Sequence, residues 1–234
     1  MMNPSFFAIF PVLLCVLVNA APAVNTPIQV TLRIEGATST IFEGPITTSG
    51  HNVSTPSAGS HECDGLNQSA NSQSGATAIA ALSDGASVHG FGFDGIFVDQ
   101  FDDFILNQIG GETTDFSSSI WLTGVNFFPQ DVLEGCHQEI HSEDQVIFAL
   151  TDNPGTPIFL KLVGPSSAQL GQAVTLTVID GFLQTRIHGV QVGGQTTDQN
   201  GQVVVTLTQL GLNSFKADGT GFVRSNGLSI QVAA

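Results

Sequence analysis

Segments that alternate between apolar and polar residues run along most of the chain and constrain its fold more than any other feature. In IQVTLRI, residues 28–34, every second residue is apolar, which is typical of a β-strand with one buried face. The second half repeats strand-like segments at short intervals, with turn residues between them: 157–163, 173–179, 187–192, 202–208, 213–219 and 228–232. We therefore expect a mainly β protein.

The first half mixes such strands with other structure. Its predicted elements are strands at 28–34 and 40–48, a long polar loop at 49–75, a helix at 75–85, and strands at 103–111, 119–128 and 144–152. Gly44-Pro45 is expected to break the second strand, and Gly85 to cap the helix. This order favours a small α+β domain with a helix on a sheet. The second half favours a β-sandwich of immunoglobulin-like type and contains no cysteine.

The charge of the chain changes sharply near residue 156. Residues 21–156 contain seventeen acids and one base, Arg33, whereas residues 157–234 contain three acids and four bases. The Pro/Gly turn cluster TDNPGTP lies at this change, as expected of a linker between domains. We predict a signal peptide at 1–20, an acidic domain at 21–156 and a near-neutral domain at 157–234.

The amino terminus has the features of a secretory signal. It carries no charged side chain, and its apolar run from Phe6 to Val18 is shorter than a transmembrane helix requires. The small residues that follow suit signal peptidase, with cleavage after Ala20, Ala21 or Ala23. We expect a secreted, extracellular protein that does not insert into a membrane once the signal is removed.

Export would change both the number of cysteines in the mature protein and their redox environment. Cys15 lies in the expected signal, so Cys63 and Cys136 remain as a pair in an oxidising compartment, where disulfides form and persist. A metal site is the alternative, because nearby histidines supply suitable zinc ligands: His61, His137 and His141. The sequence favours the disulfide.

A polar stretch around Cys63 carries two sequons for N-linked glycosylation. They begin at Asn52 and Asn67. Glycans on these asparagines would place the stretch at the surface of the protein.

The stretch FDGIFVDQFDDF, residues 93–104, interleaves acids with phenylalanines. Its spacing does not match a calcium-binding loop, and the phenylalanines are expected to anchor the core on either side of turns. The acidity of this half excludes nucleic acid and favours a partner that is cationic, neutral or bridged by a divalent cation. The candidate ligand contacts are Asp94, Asp99, Asp102, Asp103 and Trp121.

Motifs for catalysis are missing. The sequence has no G-x-S-x-G elbow, no P-loop and no H-E-x-x-H. His61-Glu62-Cys63 starts like a zincin motif, but no second histidine follows at the required spacing. We expect no enzymatic activity and no cofactor.

The stretch VTLRIEGATSTIFEGPITT resembles the start of the transcobalamin-like C-terminal family, a β-grasp-like module of secreted proteins. The matching signatures, in the order of the family, are residues 30–36, 40–44, 61–63, 121–126, 135–136 and 143–149. Residues 197–201 and 221–225 are similar to the immunoglobulin-like domain that often follows. The resemblance implies a β-grasp-like domain before an immunoglobulin-like sandwich, and it pairs Cys63 with Cys136.

Together these features predict a secreted, non-catalytic binding or cell-surface interaction protein with an extracellular or cell-wall ligand. The alternative is a metal-binding protein or an enzyme built on Cys63, Cys136, His137 and His141. The two differ in whether the cysteines are free.

Overall fold

The computed structural model describes residues 25–66, 71, 73–130, 135–152 and 157–234, and every structural statement concerns these residues. The predicted signal at 1–20 with its cleavage sites lies outside them. Asn67 and residues 153–156 of the predicted linker also lie outside them.

The elements of the first half come in chain order. They are β1 (Ile28–Glu35), β2 (Thr40–Thr48), β3 (His51–Thr55), β4 (Gly59–Cys63), α1 (Ala78–His89), β5 (Phe93–Val98), β6 (Asp103–Ile109), β7 (Glu112–Thr113), β8 (Ile120–Val125), β9 (Phe128–Pro129) and β10 (Gln145–Thr151). Among the described residues α1 is the only α-helix, and it is not long and apolar enough to cross a membrane. The prediction of a mainly β protein is confirmed.

Five strands form the main sheet of the first half, in the order β2-β1-β10-β8-β9. β1 is parallel to β10 and antiparallel to β2, while β8 is antiparallel to β10. α1 packs on one face, where Val30, Leu32 and Ile34 are buried in the core of this half. The β3–β4 hairpin and the small sheet β5-β6-β7 complete the half.

The helix begins and ends at capping residues. The Thr77 side chain accepts a hydrogen bond from the Ala80 amide at 3.2 Å, and Gly90 adopts a left-handed φ of 76° at the C-cap. The prediction that Gly85 caps the helix is wrong, because Gly85 lies inside it against the sheet. A Cβ there would lie 2.5 Å from Leu32 Cδ2, so glycine lets the helix approach β1 closely.

Two predicted irregular segments are regular strands. β2 continues through Gly44-Pro45, with Pro45 opposite Thr31, because β2 is an edge strand and a missing amide hydrogen is tolerated there. The predicted polar loop at 49–75 contains the β3–β4 hairpin, whose turn has Gly59 at a φ of 77°.

The disulfide between Cys63 and Cys136 is confirmed. The two Cα atoms are 4.4 Å apart, and both residues are buried. The bridge ties the end of β4 to the segment that leads into β10, across 73 positions of sequence. It therefore holds the polar stretch around β3 and β4 to the body of the first half.

The strand β1 has two buried faces instead of the one that its alternation predicts. Arg33 and Glu35 lie on the face opposite the helix, yet they are only 0% and 2% exposed. They are buried because the second half of the chain covers this face in the tertiary structure.

The second half contains strands throughout its described residues. They are β11 (Ile158–Val163), β12 (Ser167–Gln169), β13 (Ala173–Asp180), β14 (Gln191–Val192), β15 (Gln195–Thr196), β16 (Gln202–Thr206), β17 (Gly211–Phe215), β18 (Ala217–Asp218), β19 (Phe222–Val223) and β20 (Leu228–Ala233). They form three sheets, β16-β13-β11-β19, β12-β20-β17 and β15-β14-β18. Leu160, Leu176, Val192 and Ile230 bring all three sheets into one core.

The disulfide should contribute measurably to stability. Replacing Cys63 and Cys136 by serine is expected to lower the free energy of unfolding by about 2–4 kcal/mol and the melting temperature by about 10 °C, because the unfolded chain gains freedom. Scanning calorimetry measures both quantities. A double alanine variant controls for the burial of two hydroxyl groups, and an unchanged melting temperature in both variants would contradict a stabilising bridge.

Candidate functional site

The disulfide removes both thiols from the predicted cysteine–histidine cluster. The ring of His61 stacks on Phe97 with centroids 3.6 Å apart, and His137 Nε2 lies 4.0 Å from Asp102 Oδ2. The side chain of His141 is 79% exposed. Within the described ranges, no three His, Cys, Asp or Glu side chains are grouped closely enough to hold a metal ion.

The four acids of residues 93–104 differ in their structural positions. The Asp94 carboxylate accepts hydrogen bonds from the Ser57 amide at 3.0 Å and hydroxyl at 2.6 Å, which ties β5 to the β3–β4 turn. Asp99 is exposed and Asp102 partly exposed in the turn between β5 and β6. Asp103, another predicted ligand contact, is fully buried and does not reach the surface.

Asp103 lies beside the disulfide and binds the backbone of Cys136. Its Oδ1 accepts hydrogen bonds from the amides of Phe104 at 2.7 Å and Cys136 at 3.0 Å. Its Oδ2 is buried and has no hydrogen-bond partner among the described residues. Burial raises the pKa of Asp103 to about 7, although these hydrogen bonds oppose the shift.

The aromatic residues of the first half lie mostly in its core. Trp121, a predicted ligand contact, is 4% exposed, because β8 directs its ring into the core rather than to the surface. Four phenylalanines lie in or against the same core: Phe91, Phe93, Phe97 and Phe104. Phe101 differs from the predicted core anchors, since it is 44% exposed in the β5–β6 turn.

Two further sequence patterns have clear positions. Asn52, in the first sequon, is exposed on β3. Gly90, Gly92 and Gly95 have the G-x-G-x-x-G spacing, but they follow a helix and lead into a strand. A dinucleotide-binding loop needs the reverse order, strand then helix, so that a helix amino terminus faces the phosphates.

An ionic network on the outer face of β1 joins the two halves of the chain. Glu35 Oε1 lies 2.5 Å from Lys216 Nζ, and Glu35 Oε2 accepts hydrogen bonds from Arg224 Nε at 2.9 Å and Thr40 Oγ1 at 2.8 Å. Lys216 Nζ also lies 2.9 Å from Glu43 Oε2. Two bases of the second half thus neutralise acids of the first.

The other donors of Arg224 bind the backbone of the turn between β1 and β2. One terminal nitrogen donates to the Gly36 carbonyl and the other to the Ala37 carbonyl at 3.5 Å. The Gly227 amide completes the contact by donating to Glu43 at 2.9 Å. The β1–β2 turn is therefore held by β19 and the segment after it.

Arg33 extends this network under the second half. Its Nε lies 3.9 Å from Glu35 Oε1, and its guanidinium carbon lies 5.4 Å from the centre of the Phe127 ring. Burial lowers the pKa of Arg33, while the Glu35 charge opposes this shift. Lys161 Nζ lies 5.4 Å from the same ring, so Phe127 contacts a cation from each half.

An apolar cluster lies beside the charges. It contains residues of both halves: Phe127, Ile147, Ala149, Phe159 and Val223. Gly181 has no side chain because the Phe127 ring occupies the space that a Cβ would need. The second half therefore packs directly on the sheet of the first, with three of its four bases turned toward it.

Next to this interface the two halves form a cleft of about 810 Å³. Its walls are the β1–β2 turn, the end of β10, and the segment from β18 through β19. Apolar side chains such as Leu150 and Phe222 line it together with the polar Gln191 and Thr220. This volume lies within the range of about 300–1,000 Å³ typical of ligand sites.

None of the predicted ligand contacts or metal ligands lines this cleft. The charged residues that do line it are Glu35, Asp152, Asp218 and Arg224. The one feature of the sequence that points to a buried interface beside the cleft is Arg33, a single base among seventeen acids in a strand pattern. Such a residue calls for a buried partner, but its position in the sequence does not name one.

The raised pKa of Asp103 predicts a contribution to stability that is present in acid and lost as the pH rises. Its pKa is about 7 in the folded state against 3.8 for the free group, so between these values only the folded state holds the proton. The contribution of Asp103 to the free energy of unfolding should fall as pH rises from about 4 to about 7, by up to about 1.4 kcal/mol per unit. Urea unfolding of the wild type and Asp103→Asn across this range isolates the effect. Parallel curves would contradict it.

The ionic network predicts a large effect for Glu35→Gln. This change leaves buried cations without their carboxylate, and it should lower the free energy of unfolding by about 3–5 kcal/mol. The control is Glu62→Gln on the exposed side of β4, where we expect a change within about 0.5 kcal/mol. Urea unfolding measures both, and equal stabilities for the two variants would show that the network does not stabilise the interface.

Comparisons with known proteins do not identify a function for the cleft. No family model matches the chain, and neither the curated proteins nor the solved structures compared with it provide a match. The residues that line the cleft and the charges around it therefore carry the functional argument.

Proposed function

We propose that the protein is a secreted, non-catalytic binding protein whose ligand occupies the cleft between its two halves. The observation that carries the proposal is the cleft itself, a space of about 810 Å³ next to a buried interface. Ligand sites occur preferentially at interfaces between domains, where two rigid bodies supply walls that neither has alone. The ligand is an extracellular or cell-wall molecule.

The environment of the cleft suits binding. Glu35, Arg224 and the backbone of Gly36 hold one another in fixed positions, so the wall is ordered before a ligand arrives. Ordered walls reduce the entropy that binding costs. The lining combines apolar contact surface with hydrogen-bonding groups of Gln191 and Thr220.

We further propose that the first half is a β-grasp-like module of the transcobalamin-like C-terminal family and the second an immunoglobulin-like sandwich. Support for the first comes from a central β1 that is antiparallel to β2 and parallel to β10, with one helix across the sheet. Support for the second comes from the sheets β16-β13-β11-β19 and β12-β20-β17, which share a core. Secretion is supported by the disulfide and the signal-like amino terminus.

A blocked cleft should lose its ligands. In the double variant Thr38→Trp, Thr220→Trp, two exposed residues of the cleft, one from each half, become bulky enough to fill it. The control is Thr47→Trp with Thr175→Trp, exposed strand positions of each half outside the cleft. The probe is a library of small polar fragments screened by ligand-observed NMR.

We expect fragments that bind the wild type and the control but not the blocked variant. Fragments that bind all three proteins equally, or a library without any binder, would overturn a ligand site in the cleft. Conversion of a bound fragment in the NMR tube would instead show an enzyme and overturn the non-catalytic part of the proposal.

A further inference from the structure

We propose that the ligand of the cleft carries a primary ammonium group, and that the carboxylates of Asp152 and Asp218 bind it. This inference rests on the proposed function of the cleft and names the chemistry of its ligand. Its basis is that some charged groups of the cleft are already paired with one another and others are not.

Arg224 is the single cation among the described residues that line the cleft, and its charge is already paired. Arg224 donates through Nε to Glu35, and through its two terminal nitrogens to the carbonyls of Gly36 and Ala37. These bonds use three of its five N–H groups, and the Glu35 carboxylate balances its charge. An anionic ligand would therefore have to compete with Glu35 for the one positive charge among the described residues of the wall.

Glu35 is engaged to the same degree. One oxygen contacts Lys216, and the other accepts hydrogen bonds from Arg224 and Thr40. Its charge is neutralised by the second half of the chain before any ligand binds. The ionic network therefore contributes a rigid wall to the cleft and little net charge.

The other two carboxylates have no such partners. Asp152 and Asp218 are exposed at the cleft, one from each half, and neither side chain has an ion pair or a hydrogen bond to another described residue. Asp218 lies on β18 opposite Gln191, which lines the cleft as well. The cleft thus has a net negative charge that its own walls do not compensate.

An organic ammonium group fits this arrangement better than a metal ion. A bare divalent cation needs several oxygen ligands, and the described part of the chain contains no group of three suitable side chains. The apolar walls, which include Ala149, Leu150 and Phe222, suit the carbon skeleton of an amine. The formal net charge of −15 also attracts cations to the protein from a distance.

Matched pairs of ligands test the need for charge without any change to the protein. The first pair is 1,5-diaminopentane and 1,5-pentanediol, and the second is the disaccharide of glucosamine and its N-acetylated form. Isothermal titration calorimetry at about 20 mM salt should show binding of the charged member alone, and about 500 mM salt should weaken it. Binding of only one amine identifies the source as aliphatic or as an amino sugar.

The variant Asp152→Asn, Asp218→Asn tests the two carboxylates, and we expect its affinity for the bound amine to fall at least about tenfold. The control, Glu62→Gln with Glu143→Gln, makes the same change in net charge at exposed positions outside the cleft and should keep most of the affinity. Melting temperatures confirm that both variants are folded.

Two results would overturn the proposal: neither amine binds, or both variants lose affinity equally, which would indicate diffuse attraction by net charge. Each leaves the proposed function testable on its own. Fragments that are neutral or anionic, and that Thr38→Trp, Thr220→Trp excludes, would keep the cleft as a ligand site with a different chemistry.

Discussion

The buried contact of Glu35 with Lys216 and Arg224 is the interaction on which the rest of the arrangement depends. A carboxylate that is 2% exposed is costly to bury unless cations and hydrogen bonds replace its water. Two bases of the second half and Thr40 do so. The network therefore directs two bases of the near-neutral second half at acids of the first.

The main sheet consequently has two buried faces with different partners. On one face α1 packs against Leu32 and its neighbours, with Gly85 at the point of closest approach, and the disulfide holds the β3–β4 hairpin beside them. On the other face the cluster of Phe127 and Phe159 supplies apolar contact around the buried Arg33. The order of layers is helix, sheet, second half.

The cleft is a consequence of how this interface closes. The β1–β2 turn is held against β19 by Arg224, and the space beside it remains open between the end of β10 and β18. The same contacts balance the charge of Arg224, the one cation among the described residues of the wall, so the unpaired charge of the cleft is negative. The proposed binding site therefore lies at the junction of the two halves and not in the acidic run at 93–104, where Asp94 and Asp103 bind the backbone.

The sequence by itself determined the local structure: alternation predicted the strands, and an even pair of cysteines predicted the disulfide. It could not determine features that depend on neighbouring elements. Pro45 is tolerated within β2 because β2 is an edge strand, and Gly85 lies within α1 because the helix approaches β1 closely there. Arg33 and Trp121 show the same limit, since alternation assigns a residue to a face of a strand and not to what covers that face. Only the tertiary structure decided that the second half covers Arg33 and Glu35, and with it the position of the cleft. The physical reason is that contacts such as Glu35 with Lys216 join residues 181 positions apart, and no local pattern encodes a partner at that distance.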